Sequence, residues 1–215
     1  TVHTPSIAVE HRPGASGDER ITAKRLTQIR SLTEQLAGLL SPEDQTVQSM
    51  PDASPAKWHR AHTSWFFEEF LLEPAGGYTV FDPTFRYLFN SYYEAVGPRH
   101  PRPQRGLVTR PSVAEVGRFR RHVDAAVTEL VERGLDPASS AVLELGLNHE
   151  QQHQELLVMD ALHLLSCHPF GPALVARQDG PPTDPAAEVG ADSGDPPALT
   201  WRAVEGGIYE IGHDG

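Results

Sequence analysis

Four helical segments, separated by strong helix-breaking residues, constrain the fold of this chain more than any other feature. Apolar residues recur at helical spacing over residues 20–40, and helical patterns also occupy residues 54–73, 112–134 and 136–168. Such spacing places apolar side chains on one face of a helix. No alternating pattern typical of a β-strand occurs before residue 200. We therefore predict an all-α fold in which four long helices form a bundle.

Local capping signals predict where two of these helices begin. Ser54 is a candidate N-cap, and Pro55 suits the first helical turn because its missing N–H has no cost there. Ser112 and Glu115 match the capping box S-x-x-E, and Gly134 is a candidate residue to end the same helix. We therefore expect the third helix to run between these two signals.

Composition divides the chain into four parts. Residues 1–19 are polar and irregular, and residues 171–200 are rich in Pro, Gly, Asp and Ala, which is typical of a disordered linker. Residues 20–170 are long enough to bury one core. Residues 201–215 are expected to be a strand-forming fragment, the beginning of an incomplete second domain. Residues 78–111 are long and irregular, which indicates function or disorder rather than packing.

Charge and composition exclude several classes of protein. The formal net charge of −11 argues against nucleic acid or an anionic membrane as a partner. No run of about 18 apolar residues is present, so we expect no membrane span. The first residues lack the regions of a signal peptide, and the single cysteine, Cys167, is expected to be an inert buried thiol. Together these features predict a cytoplasmic protein.

Two histidines on the fourth helix are candidate metal ligands. The string NHEQQHQE contains HExxH and places His149 and His153 four residues apart. At about 100° per residue, the pair lies on the same stripe as Val142, Leu145 and Leu156. We therefore expect both imidazoles to point into the bundle, where a pair at this spacing can chelate one ion. The alternative is a pair of core histidines that hydrogen bonds satisfy.

The second helix offers a third imidazole. His62 lies between Trp58 and Phe66 on a buried stripe and could face the pair across the bundle. Three neutral imidazoles would leave positions on a metal open for small molecules. His59 is one turn earlier but about 60° away around the helix. We expect it to lie beside the ligands rather than among them.

HExxH also occurs in zinc proteases, but its surroundings here differ from theirs. A zinc protease needs a third ligand at a suitable place after the motif, and the residues after His153 offer no such continuation. Glu150, which would be the general base, lies about 100° from His149 and is expected to point away from the centre. The sequence therefore favours a different metal chemistry.

Four motifs carry a resemblance to a known family. In chain order they are WHRAHTSWFFEEFLL, LFNSYYEAVG, RHPRPQRGLVTRPS and NHEQQHQELL. They resemble the N-terminal DinB-like bundle of the ergothioneine-biosynthesis sulfoxide synthases, and the resemblance covers residues 20–170. GGIYEIG resembles the opening of that family's second domain, which has the formylglycine-generating-enzyme (C-type-lectin-like) fold. The resemblance thus implies a DinB-like four-helix bundle that precedes a second domain.

The resemblance also implies a metal and a reaction. The family holds non-haem iron(II) with three histidines, and the matching positions are His62, His149 and His153. Its enzymes join the sulfur of γ-glutamylcysteine or cysteine to C2 of the imidazole of hercynine, use O₂, and leave a sulfoxide. Imidazole ligands suit iron and zinc alike, so iron is implied by the resemblance alone.

Substrate-binding residues are implied in the same way. Residues 99–110 hold four arginines and no acidic residue. Arg102 and Arg105 match the family's pair that holds the carboxylate of the thiol substrate, to which a guanidinium can make two charge-assisted hydrogen bonds. The other two arginines are expected to be solvated. Gln152 matches a glutamine that contacts hercynine through water, and no catalytic acid can be assigned.

The family's hercynine pocket and catalytic tyrosine belong mainly to the second domain, so we expect this chain to be a fragment that binds iron and turns over poorly alone.

Two other functions remain open. A stand-alone DinB-like metal-dependent thiol transferase would share the bundle and the three-histidine site without needing oxygen. A non-catalytic metal-binding module would use the ion only as a structural staple.

Overall fold

The computed structural model describes residues 23–93 and 96–175, together with Glu205 and Gly207. Its α-helices are α1 (Ala23–Ala37), α2 (Ala56–Phe67), α3 (Glu73–Ala75), α4 (Phe85–Phe89), α5 (Val113–Arg133) and α6 (Pro137–Ser166). None of the described residues forms a strand, so the predicted all-α fold is confirmed for this part of the chain. The predicted N-terminal segment, nearly all of the linker and the strand fragment of a second domain lie outside the described residues.

Helices α1, α2, α5 and α6 correspond to the four predicted segments. Helix α2 packs against both α5 and α6, and α1 packs against α6. Every residue of α2 is buried, which makes it the central helix of these four. A π-helical turn, Glu68–Leu72, extends α2 into α3. Among the described helices, none is both long and apolar enough to span a membrane.

The capping prediction is confirmed for α5 and wrong for α2. The Ser112 hydroxyl accepts a hydrogen bond from the Glu115 N–H, and the Glu115 carboxylate accepts one from the Ser112 N–H. Gly134 ends this helix with φ 94°. Ser54, however, does not cap α2, because Pro55 occupies the N-cap position. Ser54 instead forms hydrogen bonds with two distant side chains near the candidate site.

Residues 78–111 contribute to packing, which the sequence did not predict. They contain α4, whose Phe85 and Phe89 are buried in the main core. Both rings make edge contacts, Phe85 with Phe119 of α5 at 5.0 Å between centroids and Phe89 with Phe85 at the same distance. The segment also contains a 3₁₀ helix, Arg102–Leu107. Phe85 and Phe89 therefore belong to the core, while Arg102 and Arg105 lie on the 3₁₀ helix.

Glu150 lies inside the bundle, which its position about 100° around the helix from His149 did not predict. Its side chain is fully buried and accepts hydrogen bonds from Arg30 Nη1 at 2.7 Å, Arg120 Nη2 at 2.8 Å and the Thr33 hydroxyl at 2.7 Å. The buried residues of α6 are Leu143, Gly146, Leu147, Glu150, His153, Gln154, Leu157, Asp160 and Ala161. Leu145, expected on the inward stripe, is 58% exposed. The two histidines therefore lie at one edge of the buried face.

Gly146 allows α2 and α6 to approach each other closely. A Cβ atom at this position would lie 2.4 Å from Cε1 of Phe67 and 3.1 Å from Cε1 of Phe66. Contacts this short require the rings or the helices to shift. Because His62 lies on α2 and the candidate ligands His149 and His153 on α6, this close approach also brings the three imidazoles together.

We expect Gly146→Ala to destabilise the protein even though alanine favours helix formation. Overpacking a core costs about 1–3 kcal/mol, against a gain in helix propensity of about 1 kcal/mol. Gly117 of α5 provides the matched control, because its added Cβ would meet nothing closer than 3.5 Å. Urea unfolding should show a lower midpoint for Gly146→Ala and an equal or higher midpoint for Gly117→Ala. Equal midpoints for both variants would contradict the close approach.

Candidate metal centre

Three histidine side chains from two helices meet at one edge of the bundle. His62 comes from α2, and His149 and His153 come from α6; one ring nitrogen of each lies within 4.8 Å of the others. Their ring centroids are 4.6–4.9 Å apart. His62 and His153 are buried, and His149 is partly buried. The structure thus brings together the three histidines that the sequence predicted as ligands, and this cluster could hold a metal ion.

The His62 ring is held on both faces and at one nitrogen. It stacks on Trp58, with centroids 4.6 Å apart, and on Trp65 at 5.3 Å, with interplanar angles of 13° and 16°. Its Nδ1 lies 2.6 Å from the Phe89 carbonyl oxygen. A carbonyl can only accept, so Nδ1 carries the proton and Nε2 keeps a lone pair. That lone pair is what a metal ion requires.

The α6 histidines differ in how their Nδ1 atoms are satisfied. His153 Nδ1 lies 2.8 Å from Nδ1 of His59. His59 therefore lies beside the candidate ligands, as expected. His149 Nδ1 is buried and has no hydrogen-bond partner among the described residues. A buried ring nitrogen without a partner is uncommon and needs an explanation. A bound ion would provide one, so the residues present fit a metal.

Burial keeps these imidazoles neutral. Desolvation, reinforced by the neighbouring His149, lowers the pKa of His62 well below its usual value. Burial likewise lowers the pKa of His149 to about 4. For His153, burial and then the neighbouring His62 and His59 lower the pKa strongly. Neutral imidazole is the form that binds metals, so the cluster is ready to bind an ion at neutral pH.

A cavity of about 440 Å³ opens onto the three histidines. Its lining includes the three substrate-binding candidates of the sequence analysis, Arg102, Arg105 and Gln152, together with Tyr92. The side chain of Gln152 is exposed at the cavity, and no hydrogen bond assigns it a role. The predicted roles of these residues stay predictions, but their positions beside one cluster of histidines agree with a shared site.

Arg105 is a buried cation without a carboxylate partner among the described residues. Its guanidinium lies 3.4 Å from the centroid of the Trp58 ring, and its Nη1 donates a hydrogen bond to the Ser54 hydroxyl at 2.8 Å. Its Nε is buried and has no hydrogen-bond partner. Burial, and then the positive charge of Arg102, lower the pKa of Arg105 to about 10. In contrast, the buried Arg30 and Arg120 both pair with Glu150.

Arg102 lies at the exposed side of the same cavity. Its Nη1 donates to the Tyr92 hydroxyl at 2.8 Å, and its Nη2 donates to the Asp52 carbonyl oxygen. Tyr92 is 64% exposed and lines the cavity. The two arginines and the tyrosine hydroxyl give the cavity a positively charged wall of hydrogen-bond donors. Such a wall suits a small molecule that carries a carboxylate.

On α6 and at its end, one prediction needs correction and one residue was missed. Cys167, expected to be buried, is exposed at the end of α6. Asp160, to which the sequence assigned no role, is buried beside His59, with its Oδ2 3.0 Å from His59 Nε2. The sequence signal for Asp160 was its position seven residues after His153, on the same face of α6.

The helical part of the chain matches a known superfamily. Residues 25–157 match the DinB superfamily, and the match covers more than half of the chain. The protein therefore belongs to the DinB superfamily, whose domains are often metal-binding. The chain has no match among curated proteins.

Proposed function

We propose that this protein is a non-haem iron(II) sulfoxide synthase of ergothioneine biosynthesis. It would join hercynine to γ-glutamylcysteine or cysteine in an O₂-dependent reaction. One observation carries the proposal: three neutral imidazoles share a cavity with a buried arginine that has no carboxylate partner among the described residues. The resemblance of the four sequence motifs to that family supplies the choice of iron and of substrates.

The reaction requires three small molecules to meet at one site. The C2–H bond of hercynine and the S–H bond of the thiol are broken, and a C–S bond is formed. One oxygen atom of O₂ is retained on sulfur and the other leaves as water, so O₂ accepts four electrons. Bound iron(II) would supply the redox chemistry for this reaction. Three protein ligands suit the role because they leave coordination positions for small molecules.

The chain's own residues would position the thiol substrate. Arg105 lines the cavity and has a buried Nε donor without a partner among the described residues, and Arg102 lies at the open side of the cavity. A carboxylate between the two guanidiniums would replace the missing counter-ion and accept charge-assisted hydrogen bonds. The thiol end of the same molecule would then extend toward the histidines. Gln152 would help to hold the hercynine end.

A single-turnover assay tests the proposed function. Protein loaded anaerobically with iron(II), hercynine and each thiol would be exposed to ¹⁸O₂ in stoichiometric amounts, so that slow turnover is still detected. We expect a product whose mass corresponds to the C–S-linked sulfoxide with one ¹⁸O atom. Absence of this product with both thiols would overturn the assignment.

A metal-dependent thiol transferase is the second candidate. The match to the DinB superfamily as a whole favours it, because such an enzyme would use the same three histidines and the same anion-binding wall. It would transfer a thiol without consuming O₂. Thiol adducts that form equally well under strict anaerobiosis would identify this function and exclude the oxygenase.

We expect Arg105→Met to weaken the binding of thiols that carry a carboxylate. Hydrogen bonds to charged groups contribute about 1.5–3 kcal/mol each, so the affinity for cysteine should fall roughly 10- to 100-fold. Cysteamine lacks the carboxylate and should bind both proteins alike. Anaerobic calorimetry of the metal-loaded proteins measures both ligands, with Arg133→Met, at an exposed position on α5, as control. An equal loss for cysteine and cysteamine would contradict a carboxylate-binding role.

A further inference from the structure

Asp160 connects the candidate metal ligand and the anion-binding arginine through a single carboxylate oxygen. Its Oδ2 accepts hydrogen bonds from His59 Nε2 at 3.0 Å and from the Ser54 backbone N–H at 2.8 Å. The side chain is buried, and its Oδ1 has no partner among the described residues. Ser54 in turn accepts a hydrogen bond from Arg105, and His59 contacts His153. All of these contacts lie within the described part of the helical bundle.

The positions of the ring protons follow from this chain of contacts. An ionised carboxylate only accepts hydrogen bonds, so His59 Nε2 carries the proton. Neutral His59 then has a lone pair on Nδ1. His153 Nδ1, 2.8 Å away, must donate its proton to that lone pair. His153 therefore keeps the lone pair on Nε2, the nitrogen that remains available to a metal.

Asp160 cannot orient His153 directly. The two residues are seven positions apart on α6, which is about 10.5 Å along the helix axis. His59 of α2 bridges this distance with its two ring nitrogens. Ligating histidines are commonly oriented by a partner at their second ring nitrogen. Here that partner is another imidazole, and the carboxylate stands one step further away.

We propose that Asp160 is a positioning residue that fixes the tautomer of His59 and thereby the nitrogen that His153 presents to a metal. This inference rests on the proposed metal site. The same Oδ2 fixes the Ser54 backbone, whose hydroxyl holds Arg105. One acceptor atom therefore sets the geometry of both the candidate ligand and the anion-binding group. A buried carboxylate that only satisfied the Ser54 N–H would have no effect on the histidine tautomers.

Two variants separate hydrogen-bond acceptance from general packing. In Asp160→Asn the amide oxygen should occupy the Oδ2 position, because both neighbouring groups, the Ser54 N–H and His59 Nε2–H, are donors. The tautomers should then be preserved. Asp160→Leu removes the acceptor at similar volume and releases His59 to exchange its ring proton. His62 is an internal control in every variant, since the Phe89 carbonyl fixes its proton on Nδ1.

Nitrogen-15 NMR of the histidine rings in metal-free protein reads the tautomers directly. In the wild type and in Asp160→Asn, we expect the proton of His59 on Nε2 and that of His153 on Nδ1. In Asp160→Leu both rings should show mixed tautomers while His62 is unchanged. Zinc(II) affinity, measured by competition with a chelator, should fall roughly 10- to 100-fold in Asp160→Leu and only a few-fold in Asp160→Asn.

The two readouts also separate this inference from the proposed function. A wild-type His153 that carries its proton on Nε2 would overturn the positioning role, whatever the metal affinity. Unchanged tautomers and affinity in Asp160→Leu would overturn it too, as would equal losses of affinity in both variants. Failure of the wild type to bind either zinc(II) or iron(II) would instead overturn the proposed metal site.

Discussion

Replacing Glu150 with glutamine should lower the free energy of unfolding by about 3–5 kcal/mol, the usual cost of removing one partner from a buried ion pair. The Glu150 carboxylate is the shared partner of two buried arginines, Arg30 from α1 and Arg120 from α5. Glutamine has nearly the same volume but no charge, so each guanidinium would lose one of its two carboxylate partners. Arg30 would keep only Asp124, and Arg120 only Glu34, to compensate for desolvation. Urea unfolding of the metal-free protein would measure the change.

The control for this prediction is a second glutamate on the same helix. Glu155 is exposed, so Glu155→Gln should change the stability by no more than about 0.5 kcal/mol. The comparison also tests the role of Glu150 in the HExxH string. A structural role makes Glu150 necessary for stability, whereas a protease would use it as its general base. A Glu150→Gln variant with wild-type stability would contradict the structural role.

The Glu150 interaction should also depend on pH. Burial alone would raise the pKa of its carboxyl, but the guanidiniums of Arg30 and Arg120 and their hydrogen bonds more than offset this effect and lower it to about 2. The folded-state pKa is thus below the ordinary value of 4.5. Glu150 therefore contributes its full stabilisation above that value and loses it as the pH falls toward 2. The stability difference between wild type and Glu150→Gln should shrink over this acid range.

Glu150 shows why the face of α6 could not be fully predicted. Its position about 100° around the helix from His149 gave no sign of burial, and ionised side chains are seldom buried. Its partners are 120 and 30 residues away in the chain, and no local pattern connects them. The four helices themselves were predictable, because caps such as Ser112 and helix breakers act through adjacent residues.

The candidate site was predictable to the extent that helix geometry alone defines it. The four-residue spacing of His149 and His153 and the buried stripe around His62 led to the cluster that the structure contains. The supporting residues were not found in this way. Ser54 matched a capping pattern but serves Asp160 and Arg105 instead, because the contacts that hold it come from other helices.

Replacing His62 with phenylalanine should abolish metal binding while the fold is kept. Phenylalanine preserves a flat ring between Trp58 and Trp65, where the histidine now stacks, but it has no ring nitrogen. Loss of a ligand should weaken metal affinity by more than the roughly 10- to 100-fold typical of the groups that support ligands. Elemental analysis after anaerobic iron(II) loading and desalting should therefore find metal in the wild type and almost none in the variant.

Thermal stability gives a second measure of the same loss. At a metal concentration about 100 times the dissociation constant, binding stabilises the folded state by about 2.7 kcal/mol. A variant whose affinity is 100-fold lower would gain only about 0.4 kcal/mol at that concentration. His163→Phe is the matched control, because His163 is a histidine of α6 outside the three-histidine cluster and bonds to the Ser49 hydroxyl. If His62→Phe retained metal and its stabilisation to the same extent as His163→Phe, the ion would be bound elsewhere, and the three-histidine centre would have to be abandoned.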